Sequence, residues 1–319
     1  MRYLVVPEWQ GSPSARAMQL IDGAEAIRGD LPASRTEVVQ VPLEAGSAMD
    51  TGIHRASSIQ MVREAVVATL ERYDRVAREG DEAAADAESA QSAERAQNAE
   101  SEPDTGSATS AAANAGSAAK AEPVLVVGGD CGIALGAIDH ASRAHGSDLA
   151  VVWFDAHGDL NTPESSTSGA FGGMVLRAVM GDGAWPLTAE HPVGDERVVL
   201  AGARSFDDAE AAFIEGSGMT ALTVERTTAD DLVATVEASG ARFVYVHVDL
   251  DVLDPARIAG ITGPEPFGVE PATLVEAIVA LKERFTLAGA SLTGFAPASA
   301  EAADDDLGTI LRIIGAIAR

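Results

Sequence analysis

Short apolar runs rich in Val, Leu, Ile and Ala recur along this chain, and several of them run straight into a Gly or an Asp. They lie at residues 4–6, 37–41, 124–129, 149–154, 197–202, 221–224, 242–249 and 287–295. Runs this short and this continuously apolar fit strands buried on both faces, since a strand with one wet face would alternate. Amphipathic stretches at 14–26, 57–78, from about 133, at 173–180 and through 310–317 alternate with them. That rhythm predicts an α/β fold with a parallel sheet covered by helices on both sides. Ligands of such sheets bind at the carboxyl ends of the strands, beside a topological switch point.

Two acidic clusters fall at those ends. Asp155, His157 and Asp159 stand in Trp153-Phe-Asp-Ala-His-Gly-Asp-Leu-Asn161, and Asp249 and Asp251 in Val248-Asp-Leu-Asp-Val-Leu-Asp-Pro255. Carboxylates brought this close would repel and raise each other's pKa unless a cation sat among them. Four carboxylates and one imidazole suit a hard or borderline cation, Mn²⁺ rather than Zn²⁺, and the density of donors asks for two ions. His247, Asp249 and Asp251 recur at period two and share a face if the strand persists. Asn161 and Asp254 are candidates to orient the ligating groups through hydrogen bonds. The bland alternative, ordinary loop acids and helix caps, suits one such cluster better than two. His247 is read as a buried, hydrogen-bonded strand histidine in preference to an extra ligand.

A formal charge of -27 excludes a phosphate-binding nucleic-acid surface and an anionic membrane surface. No apolar run reaches the ~20 residues of a bilayer span, and the N-terminus turns polar too soon for a signal peptide. The lone Cys131 excludes an internal disulfide and fits a reducing compartment, so a soluble, cytoplasmic protein is expected. Residues 80–122 are Ala, Ser, Glu, Asp and Gln with almost no large apolar side chain. Such composition predicts a disordered insertion in a surface connection, with a solvated helix as the alternative for 81–98. The rest, 1–319, is expected to form a single α/β domain around it.

Asp155-Ala-His-Gly-Asp-Leu-Asn161 and Asp249-Leu-Asp-Val-Leu-Asp-Pro255 resemble the two signature motifs of the arginase/agmatinase/formiminoglutamase (ureohydrolase) superfamily, and Gly128-Gly-Asp-Cys131 resembles its third. The resemblance runs from about Val124 to the C-terminus. It implies a three-layer α/β/α sandwich with a mostly parallel, eight-stranded sheet and a binuclear Mn²⁺ centre. By position, the metal ligands would be Cys131, Asp155, His157, Asp159, Asp249 and Asp251. The implied reaction is hydrolysis of a guanidino, amidino or formimino C–N bond by a metal-bridging hydroxide, with Asp159 also taking its proton. Asn161 and Ser168 match positions that hold an amino-acid carboxylate, and Asp207 and Glu210 positions that receive the α-amino group. A solvated helix start is the alternative for the last two. The resemblance also implies a homo-oligomer, a trimer or hexamer.

Several residues depart from the family pattern. Cys131 stands where most relatives have histidine, though some hydroxyarginine-hydrolysing members share the cysteine; it would ligate only as thiolate. Gly172 replaces a histidine proton shuttle, Ala170 an asparagine, and Gly294 a glutamate that pairs with the guanidinium. Glu265 and Glu164 are loop acids that could reach in instead. Arginine is therefore a poor first substrate, and a metal-binding member with little or no turnover, in a binding or regulatory role, is the alternative to a hydrolase. A zinc-dependent deacetylase-type relative is disfavoured by the oxygen-rich donor set.

Overall fold

The computed structural model describes residues 1–99 and 122–319, and of residues 86–99 the backbone alone. Along the chain run β1 (Arg2–Val5), α1 (Gln19–Asp30), β2 (Thr36–Val38), α2 (Ala56–Ala99), β3 (Val124–Val127), α3 (Ala134–His145), β4 (Leu149–Phe154) and α4 (Val175–Val179). Then follow β5 (Val198–Ala201), α5 (Asp208–Gly216), β6 (Thr220–Leu222), α6 (Ala229–Ala238), β7 (Phe243–Asp249), α7 (Pro271–Arg284), β8 (Thr286–Thr293) and α8 (Ala300–Ala318). The strands form one sheet in the order β2-β1-β3-β8-β7-β4-β5-β6. Every pairing in it is parallel. The expected α/β architecture is the one observed.

Helices on both faces explain the apolar strands. Ala24 and Ile27 of α1, Leu232 of α6, Leu274 of α7 and Ile310 of α8 form one buried cluster with Val5, Val127, Val152, Val246 and Leu292 of the sheet. On the opposite face α3 packs on α4 and on β4, β7 and β8. All six residues of β4 are buried, as continuous hydrophobicity requires of a central strand.

Local chemistry moves several boundaries. The helix expected from residue 14 begins at Gln19, because Ser12 and Ser14 Oγ accept from the backbone N–H of Ser14 and Arg16 and hold that segment in turns. Between the fifth and eighth strands, where α5, α6 and α7 lie, the one helix signal expected is the start offered at Asp207 and Glu210 as the alternative to a binding role. Each carries a start signal: Asp207 and Thr228 cap α5 and α6 with their side chains, and Pro271 opens α7.

Two compact units are present, Met1–Val67 with Pro123–Arg319, and Ala68–Glu122. The first holds the sheet. In the second, α2 continues as helix through residue 99, on an Ala-, Glu- and Gln-rich sequence of high helix propensity. The remainder of the expected insertion, residues 100–121, lies outside the described residues.

Candidate metal centre

The strand order brings the ends of β3, β8, β7 and β4 side by side, and these four neighbours build the site. One cavity of about 480 Å³ is lined by Cys131, Asp155, His157, Asp159, Asp249 and Asp251. All six residues that the resemblance implies as ligands therefore line one cavity, although Cys131 and Asp249 are 118 residues apart. Asn161, Ser168, Asp207, Glu210 and Gly172 line the same cavity.

Backbone groups fix most of the carboxylates. Asp155 leaves β4 and accepts from His157 N at 2.7 Å with Oδ1 and from Trp153 Nε1 at 3.2 Å with Oδ2. Asp249 ends β7, accepting from Asp251 N at 2.9 Å, Thr293 Oγ1 at 3.1 Å and the Cys131 thiol at 3.1 Å. Asp251 accepts from Ala156 N at 3.0 Å, which ties the β7 loop to the β4 loop. Asp159 adopts a left-handed φ of 53°. Asp is among the residues that tolerate this region, and such strain gathers at functional sites. Its Oδ2 is buried without a partner.

Two donor groups emerge, and they share a residue. Cys131, Asp155 and a ring nitrogen of His247 offer atoms within 4.8 Å of one another; so do Asp155, His157 and Asp251. Asp155 thus stands between two candidate cation positions. Burial, then repulsion from Asp155, raises the Asp159 carboxyl well above its usual range. Burial, with Asp251 beside it, pushes Asp249 up to about 7, and burial with Asp155 pushes Asp251 up to about 6. For His157 burial opposes the charged form, yet hydrogen bonds to Asp155 and Asp251 outweigh it and push the pKa up to about 12. Its Nδ1 lies 3.0 Å from Asp251 Oδ2. Without a cation these groups must hold protons to coexist, and a cation can displace those protons.

At the rim, Asp207 caps α5, with Oδ1 accepting from Ala209 N and Glu210 N. Glu210 completes the capping box by accepting from Asp207 N at 3.0 Å. Asn161 Nδ2 donates to Asp207 Oδ2 at 2.8 Å, which with two backbone N–H groups keeps that carboxyl below its usual range against the pull of burial. Ser168 Oγ accepts from Ala170 N and is exposed at the cavity mouth.

Other expectations need correction. Asp254 accepts from Ala256 N and Gly268 N, so it shapes its own loop and orients no ligand. Glu164 is exposed and outside the cavity lining. Glu265 does approach, with Oε1 3.9 Å from His157 Nε2. Gly294 is no simple vacancy: its φ is +86°, and a Cβ there would lie 2.3 Å from Asp249 Oδ1. Gly172 donates its N–H to Gly11 O at 2.9 Å, and a Cβ would meet that oxygen at 3.2 Å. The segment before α1 therefore packs directly against position 172.

Two features carried no readable signal. Arg204 reaches the carbonyls of Asp251 at 2.9 Å, Glu265 at 2.7 Å and Pro266 at 3.0 Å, clamping the β7 loop to the Glu265 loop. Glu8 is fully buried beside Asp130. Burial, then the charge of Asp130, raises its pKa well above the usual range. An acid closing the first apolar run was the only hint.

A family model described as "Arginase family" matches residues 35–314. This chain belongs to the arginase family. It is 36% identical over 154 residues to an arginase of Bacillus subtilis, covering 46% of this chain and 52% of that protein. It is 31% identical over 192 residues to the N(omega)-hydroxy-L-arginine amidinohydrolase of Streptomyces lavendulae, covering 60% of this chain and 67% of that protein. The arginase-family chain thus spans about half the length of the bacterial arginases it matches. Its fold is that of Entamoeba histolytica arginase, solved in complex with L-ornithine: TM-score 0.73 at 20% identity, over 99% of this chain and 96% of the other. Among the described residues no helix is long and apolar enough to cross a membrane.

Proposed function

We propose that this arginase-family protein is a Mn²⁺-dependent hydrolase of a guanidino, amidino or formimino C–N bond, acting on a substrate other than arginine. The observation that carries the reading is the pair of donor groups joined at Asp155 on the cavity floor. The residues fit two divalent cations: the carboxylates are crowded beyond what they tolerate as anions, and Asp159 Oδ2 is buried without a partner. Cys131, Asp155, His157, Asp159, Asp249 and Asp251 would hold them, and the oxygen-rich set suits Mn²⁺. When bound, such an ion pair lowers the pKa of a shared water and supplies a nucleophile near neutral pH.

The chain itself supplies position and proton transfer. Asp159, whose carboxylate lines the cavity, would accept the proton and return it to the leaving amine. Asp207, kept anionic by Asn161, offers a charge to a substrate ammonium, and Ser168 a hydroxyl at the mouth. With glycine enforced at 294, no side chain from that position meets the guanidinium, which argues for a smaller or differently charged substrate. A single catalytic domain interrupted by the 80–122 segment, cytoplasmic and assembled as a trimer or hexamer, completes the reading, and light scattering of the purified protein tests the assembly.

The deciding experiment is release of urea or ammonia from a panel of guanidino and formimino compounds, N(omega)-hydroxy-L-arginine included, by Mn-loaded protein of measured metal content. Turnover of one member is expected. No product from any compound, at two ions per chain, would leave a binding role in place of the hydrolase.

A further inference from the structure

His247 sits two residues before Asp249 on β7 and is 0% exposed. Residues two apart on a strand share a face, so its ring and the Asp249 carboxylate lie on the same side of the sheet. The two neighbouring strands lock the ring. Trp153, its register partner on β4, stacks on it with centroids 3.5 Å apart and planes at 18°. Ser291, its register partner on β8, places Oγ 2.7 Å from Nδ1. A ring so held has one orientation, and in it Nε2 is buried without any hydrogen-bond partner.

An orphaned polar atom in the core is uncommon, and it asks for an unseen partner. In the tautomer whose Nδ1 donates to Ser291 Oγ, Nε2 is a bare lone pair, the form that a metal-ligating histidine adopts when its other nitrogen is hydrogen-bonded. A ring nitrogen of His247 stands within 4.8 Å of both Cys131 Sγ and an Asp155 carboxylate oxygen. We infer that His247 is a metal ligand, binding through Nε2 the cation that Cys131 and Asp155 also hold.

This inference rests on the metal-centre reading above and extends it. The imidazole that the family resemblance places at position 131 is supplied instead from β7, so Cys131 adds a sulfur donor without loss of the nitrogen. Sulfur, nitrogen and carboxylate together are a softer set than the one around His157. This position is accordingly expected to discriminate in favour of Zn²⁺ or Co²⁺ over Mn²⁺ more strongly than the Asp155, His157 and Asp251 position does.

The test is ring-¹⁵N NMR of the full-length protein with labelled histidine, stripped of metal and titrated with Zn²⁺, the His247 signals being assigned through His247→Gln. Nε2 of His247 and Nδ1 of His157 are both expected to move on binding. If His157 responds and His247 does not, the metal centre stands and the His247 ligand is overturned. If neither responds and equilibrium dialysis finds no bound Zn²⁺, the metal-centre reading falls and this inference with it. In His247→Gln, one of two ions is expected to bind at least ~10–100-fold more weakly, the loss seen even for groups that only support a ligand. Two ions bound there with unchanged affinity would overturn the assignment. If that variant does not fold, the His247 signals are assigned by elimination from single substitutions of the other five histidines, and the wild-type spectra then decide the matter.

Discussion

Gly294 offers the sharpest test of how tightly the site is built, through Gly294→Ala. The residue sits at φ +86°, and its added Cβ would lie 2.3 Å from Asp249 Oδ1. Neither partner can step aside cheaply. Gly294 N donates to Gly129 O at 3.0 Å, and Thr262 N donates to Gly294 O at 3.2 Å, pinning the backbone on both sides. Asp249 is held by Asp251 N, Thr293 Oγ1 and the Cys131 thiol. Left-handed backbone costs a residue with a Cβ ~1–2 kcal/mol. Overfilling a packed site costs a further ~1–3 kcal/mol. The variant should lose roughly 2–5 kcal/mol of unfolding free energy, measured by urea denaturation in EDTA so that metal binding does not contribute. Gly308→Ala is the matched control, on an exposed position of α8 with open space around it, and should gain up to ~1 kcal/mol. A change below ~0.5 kcal/mol for Gly294→Ala, the range of ordinary surface substitutions, would refute the steric argument. Placing a glutamate there would on the same grounds disturb Asp249.

Two further outcomes follow from the site. His157 has its pKa raised from 6.5 to about 12, and Asp249 and Asp251 have theirs raised from 3.8 to about 7 and about 6. Each therefore stabilises the metal-free fold most below its unfolded pKa and less as pH rises through the folded one. Thermal melts in EDTA should show stability falling between pH 5 and 8, with Mn²⁺ reversing the trend; a metal-free melting temperature that climbs over this range would contradict the crowding described. Asp207→Ala should remove the α5 cap at a cost of ~0.5–2 kcal/mol and also raise KM for a substrate bearing an ammonium group. An unchanged KM beside lowered stability would confine Asp207 to its capping role.

Much of the fold was legible because its signals are local. Continuous apolar runs such as 149–154 mark strands buried on both faces wherever they occur, and the acids that follow them mark the strand ends. Boundaries shifted where side chains competed with backbone, as Ser12 and Ser14 do before α1. In the site, five of the six candidate donors could be read from the two acidic clusters and Cys131 from the family resemblance, but the turn-shaping role of Asp254 could not be told by sequence from that of orienting a ligand. His247 shows the converse. Period two placed it on the face of Asp249, yet only the register with Trp153 and Ser291 reveals that one ring nitrogen is occupied and the other is not.

The sequence alone determined the element rhythm, the donor types and their position at the ends of β3, β4 and β7, because periodicity and residue chemistry are properties of neighbours along the chain. The tertiary structure decided which candidate donors lie within reach of a common ion, why position 294 suits glycine, how Arg204 clamps two loops, and that Glu8 is buried beside Asp130. Those features depend on distances between residues tens to hundreds of positions apart. Such distances exist only once the strand order β3-β8-β7-β4 has brought four distant strand ends together.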